Sequence, residues 1–125
     1  MDYELCVPAG KDYVYVQPKK DISSTRLPHQ FARHAIELGN THEICKALID
    51  YRLVTSYSGA FDKYFFAYEH STKMGLTRHW RAALVRRPEN TELDFLETVM
   101  QNAGFSFRIF TDMDAARDWL AADSG

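Results

Sequence analysis

Apolar residues recur along this chain with two periods, and the switches between them mark its elements. Tyr3 to Val7 and Tyr13 to Gln17 are rich in aromatic and β-branched residues, and Pro8-Ala9-Gly10-Lys11-Asp12 between them has turn chemistry. That pattern predicts an antiparallel hairpin, closed by Pro18. Leu27, Phe31, Ala35 and Leu38 then recur at the spacing of one helical face, with Ser24 or Thr25 as cap, Pro28 in the first turn and Gly39 as the stop. Ala47-Leu48-Ile49 is a short apolar run that ends in Asp50, as expected of a buried inner strand whose carboxyl end reaches the surface. A second helix is predicted from Ser58 or Gly59 to Gly75, and Trp80 to Val85 reads as another inner strand, stopped by Pro88. Leu93, Leu96, Val99, Met100 and Ala103 form a third helical stripe ending at Gly104, with Asn90 or Thr91 as cap and Thr91 and Asp94 at capping-box spacing. Phe105, Phe107 and Ile109 alternate as a last strand, and Thr111 to Asp114 opens a helix that buries Ala115, Ala116, Trp119 and Leu120.

Hairpin, helix, strand, helix, strand, helix, strand, helix is an order that favours a largely parallel sheet with right-handed crossovers. The expectation is a single α/β domain over residues 1–125, with four or five strands and about four flanking helices. In open α/β sheets, ligands and partners approach the carboxyl ends of the strands. The stretch Lys46 to Gly59 supplies such an end, and Arg86 to Thr91 and Thr111 to Asp114 supply two more.

Composition narrows the class. With 15 basic and 17 acidic side chains the formal charge is −2, so no global field favours nucleic acid or an anionic membrane surface. No basic leader with an apolar core and no membrane-length apolar run occurs, which predicts a cytoplasmic protein. Cys6 and Cys45 show no C-x-x-C pattern and are expected to be free, buried thiols. No G-x-S-x-G, Walker loop or G-x-G-x-x-G is present, and no cofactor or metal is expected. His42 with Cys45 offers only two metal donors.

Several fragments, taken in order, resemble the SpoIIAA-like proteins of the wider STAS group of small bacterial α/β domains. They are Leu48-Ile49-Asp50-Tyr51-Arg52 for a strand ending in Asp-x-Arg, Asp62-Lys63-Tyr64, Ala82-Ala83-Leu84-Val85, and Phe95-Leu96-Glu97 with Asn102-Ala103-Gly104. Arg108-Ile109-Phe110-Thr111-Asp112 follows, leading through Ala115-Ala116 to Trp119-Leu120. The resemblance implies a sheet of four or five strands flanked by helices, no enzymatic activity and a regulatory or protein-interaction role like that of anti-sigma factor antagonists. In those relatives a Ser at the start of a helix is phosphorylated, within a motif resembling Asp-Ser-Ser/Ala-Gly. Here Ser56-Tyr57-Ser58-Gly59 stands at the corresponding place and lacks the Asp. The group is also similar in outline to lipid-binding domains, which implies an apolar-ligand alternative.

The candidate contact residues are therefore Asp50, Arg52, Ser56, Ser58 and Gly59. Asp50 and Arg52 form either a fixed ion pair or a polar rim for a ligand or protein partner, and Ser58 is either a helix cap or a phosphosite. Phe61, Tyr64, Phe65 and Tyr68 serve as core, as the wall of an apolar pocket, or as the face of a homodimer. Arg78, Arg81, Arg86 and Arg87 are read as a solvated basic patch offset by Glu89, Glu92, Asp94 and Glu97.

Overall fold

The computed structural model describes residues 3–19, 26–54, 79–91, 94–102 and 104–122. The helix expected after Ser58, with the candidates Ser56, Ser58, Gly59, Phe61, Tyr64, Phe65 and Tyr68, lies outside the described residues, as do the caps Ser24 and Thr25 and the basic residue Arg78.

Five strands form one sheet: β1 (Tyr3–Cys6), β2 (Val14–Pro18), β3 (Lys46–Asp50), β4 (Arg81–Val85) and β5 (Ser106–Phe110). They lie side by side in chain order, with β1 antiparallel to β2 and every later pair parallel. The hairpin turns through Pro8 to Lys11, where the Lys11 amide donates to the Pro8 carbonyl at 3.0 Å and Gly10 takes a φ of 74°. A side chain resists that φ, whereas glycine adopts it freely.

Three helices are described: α1 (Arg26–His42), α2 (Asp94–Asn102) and α3 (Met113–Ala121). The pleat of the strands sorts the apolar side chains into two layers. On one face Val14, Val16, Ala47, Leu84 and Phe107 pack with Phe31, Ala35 and Ile36 of α1 and Met100 of α2. On the other, Leu48, Ala83 and Val85 pack with Ala116 and Leu120 of α3. The Asp112 carboxylate caps α3 by accepting from the Ala115 amide at 3.1 Å.

Three expectations need correction. Helix α1 runs past Gly39 to His42, because Glu43 takes the left-handed conformation (φ 57°) and the Ile44 amide closes onto the Gly39 carbonyl at 2.8 Å. Gly39 is instead a site of close approach to Trp80. Both cysteines are free but exposed, since Cys6 alternates outward on β1 and Cys45 lies in the link before β3. Around the start of α2, Arg86 forks onto Asp94 at 2.8 and 3.1 Å, and the Asn90 side-chain amide donates to the Val54 carbonyl at 3.1 Å. The described basic residues are also no single solvated patch. Arg81 stacks on Trp119 at 3.9 Å and donates to its carbonyl, while the Arg86 side chain is only 12% exposed.

Candidate functional site

Asp50 ends β3 on the same face as Leu48, the face that α3 covers. Leu48 lies opposite Tyr15 of β2 and Asp50 opposite Val85 of β4. Continuing the first register by one pleat sets Gln17 beside Asp50. Asp50 is 0% exposed, so its charge depends on donors supplied by the protein.

Five contacts meet that need. Oδ1 accepts from the Arg52 amide at 3.0 Å and from Arg52 Nε at 2.9 Å. Oδ2 accepts from Tyr15 Oη at 2.7 Å, Arg52 Nη2 at 2.9 Å and Gln17 Nε2 at 3.1 Å. The strand stops at Asp50, so Arg52 reaches it by turning back rather than by sharing a pleated face. The contact between Oδ1 and the amide two residues on is an Asx-turn, and the guanidinium forks onto both oxygens.

Burial by itself raises the pKa of Asp50. The hydrogen bonds from Arg52 and Tyr15, the Arg52 amide and the Arg52 charge outweigh it, and the carboxyl is held below its usual range. Tyr15 moves the other way: burial, then its hydrogen bond to Asp50 and the adjacent negative charge, push the phenol well above its ordinary value. The hydrogen bond to Asp50 raises Arg52 in turn. The result is an ionised carboxylate, a neutral phenol and a guanidinium whose side chain remains 50% exposed.

The same network orders the loop that follows. The Val54 amide donates to the Tyr51 carbonyl at 3.0 Å, and the Tyr51 amide donates to the Val85 carbonyl at 2.7 Å. From the loop after β4, Arg87 Nε donates to the Arg52 carbonyl and Asn90 Nδ2 to that of Val54. Leu53 sits at the tip of this braced turn and is 48% exposed.

Of the sequence-predicted site residues, Asp50 and Arg52 are thus brought together. Sequence reasoning missed Tyr15, Gln17, Leu53 and Asn90 as parts of this rim. Alternation with Val14 and Val16 shows that Tyr15 and Gln17 share a face, but only the adjacency of β2 and β3 aims them at Asp50. Among the described residues, no group of three or more His, Cys, Asp or Glu side chains is placed to hold a metal ion. A separate open cleft of ≈ 660 Å³ lies between the hairpin turn and α3, lined by Lys11, Asp12, Tyr13, Asp114, Arg117 and Asp118 among others. No described helix is long and apolar enough to cross a membrane.

Comparisons with known proteins bear on the fold. No protein-family model and no curated protein matches the sequence. Among solved structures, the chain is similar to an uncharacterized protein from the DUF3478 family, with a SpoIIAA-like fold, from Shewanella loihica PV-4. The two share 19% identity with a TM-score of 0.53, over 95% of this chain and 94% of that one. The five-stranded, mostly parallel sheet with its flanking helices is accordingly an α/β domain of SpoIIAA-like fold.

Proposed function

We propose that this chain is a non-enzymatic protein-interaction module with a regulatory role, and that its partner docks on the rim formed by Arg52, Leu53 and Arg87. The observation that carries this reading is Leu53, an exposed apolar side chain on a turn braced by five hydrogen bonds to Asp50 and two side-chain donors from the neighbouring loop. A preordered turn loses little conformational entropy on docking, so its apolar contact is retained as affinity. Asp50 supports the same reading. Its carboxylate is enclosed by internal donors and held ionised, which suits a structural brace better than proton transfer near neutral pH.

The test is affinity capture from an extract of the source organism with wild type and Leu53→Asp side by side. Loss of a stoichiometric protein from the variant, at unchanged thermal stability, is the expected result. Identical captured proteins from both would overturn the reading. Native mass spectrometry of the wild type separates the alternative class, since a bound lipid there identifies an apolar-ligand carrier.

A further inference from the structure

The cleft between the hairpin turn and α3 lies at the opposite end of the sheet from the Arg52 rim, where β2 and β3 begin and α3 ends. Its volume of ≈ 660 Å³ is that of a small-molecule site. Tyr13 lines it and is only 6% exposed, with its ring in the apolar layer of Leu48, Ala116 and Leu120. Among the described residues, its hydroxyl has no hydrogen-bond partner. A buried phenol oxygen is unfavourable in apolar surroundings, and the cleft is the polar side of that layer, so the hydroxyl is aimed into it.

The charges on the two walls sort into paired and unpaired. On the hairpin, Asp12 is held by Lys46 at 3.0 Å, and on α3 Arg117 faces Asp114 at 3.6 Å. Among the described residues, that leaves one lining cation without an acid, Lys11 on the hairpin, and one lining acid without a base, Asp118 on α3. Asp118 stands in the last turn of α3, which holds no basic side chain, so its charge adds to the negative end of the helix dipole. A bound ammonium group would offset both.

We propose that this cleft binds a small zwitterion, a free amino acid or short peptide, with its carboxylate on Lys11, its ammonium on Asp118 and a polar group bonded to the Tyr13 hydroxyl. The site is distinct from the docking rim of the proposed function and does not rest on it. Opposite charges on facing walls select a ligand that carries both, since a simple anion is repelled by Asp118 and a simple cation by Lys11. The hydroxyl adds discrimination, because a buried polar group that only the ligand satisfies disfavours ligands unable to pair with it.

The test is titration of the isotope-labelled protein with the dipeptide dialanine, read from its backbone amide spectrum. The amides of Lys11, Tyr13 and Asp118 should shift together and saturate in the millimolar range or tighter. N-acetyl-dialanine and dialanine amide, each lacking one charge, should bind at least about fivefold more weakly, and so should dialanine to Lys11→Ala and Asp118→Asn. Both residues are exposed, so these variants keep the core intact. Tyr13→Phe should weaken dialanine binding by roughly fivefold with the thermal midpoint unchanged or higher, because the hydroxyl has no internal partner to lose. Absence of a saturable shift by about 50 mM overturns the proposal. So does equal binding of a blocked dipeptide, or a Tyr13→Phe variant that is less stable or binds dialanine as tightly as the wild type.

Discussion

Tyr15 and Asp50, 35 positions apart, meet on adjacent strands with the phenol donating to the carboxylate at 2.7 Å. One lies on β2 and the other at the end of β3, so their contact ties the hairpin to the first inner strand where the chain leaves the sheet. Tyr15→Phe removes one donor and leaves four contacts on the carboxylate. Chemical denaturation should show a loss of about 1 kcal/mol.

Asp50→Asn is the more severe change. An amide cannot accept the guanidinium fork at both atoms, and the site would hold a buried NH2 facing donors. A loss of roughly 2–3 kcal/mol is expected, discounted from a fully buried pair because Arg52 is half exposed. If the rim also serves a partner, partner capture should fall in step with Leu53→Asp. Stability lost with capture unchanged would confine the pair to a structural role.

The depressed pKa of Asp50 sets the sign of an acid limb. The folded state binds this proton more weakly than the unfolded chain, whose value is near 3.8. The stabilisation is therefore complete above that value and is lost as the pH falls from it towards the lower folded pKa. Denaturant midpoints measured between about pH 6 and pH 2 should fall more steeply for wild type than for Asp50→Asn in the acid range. Equal slopes would show that Asp50 is not depressed.

Two helix ends make a matched pair. After α2, Gly104 takes the left-handed conformation (φ 92°), with its amide on the Gln101 carbonyl and the Phe105 amide on that of Met100, both at 3.0 Å. After α1, Glu43 occupies the same position, with its amide on the Asn40 carbonyl at 3.4 Å and the Ile44 amide on that of Gly39 at 2.8 Å. Both are Schellman closures, but only one has the residue that adopts positive φ without steric cost. Glu43→Gly should stabilise the fold by about 0.5–1 kcal/mol, read from the thermal midpoint.

Gly39→Ala should act in the opposite direction. A Cβ there would lie 2.4 Å from Trp80 Cη2 and 2.6 Å from the Ile44 carbonyl oxygen. The indole is buried and the carbonyl is backbone, so neither yields easily. Denaturation should show a loss of roughly 1–3 kcal/mol.

The strands and helices described here were legible because their signals are local. The period-two alternation of Val14 to Gln17 and of Phe105 to Phe110 and the apolar run Ala47 to Ile49 depend on near neighbours in the chain, as does the stop at Gly104. Asp50 and Arg52 were legible as a candidate pair for the same reason, being two residues apart. Gly39 misled because glycine signals both a helix end and a tight contact, and only the position of Trp80 distinguishes them. Tertiary structure alone decided that β2 lies beside β3, which turns Tyr15 and Gln17 into donors for Asp50. It also decided that Arg86, Arg87 and Asn90 would fasten neighbouring segments instead of facing solvent. These choices join residues that are 8 to 36 positions apart, and a charge or amide carries no mark in the sequence of the distant group that will satisfy it.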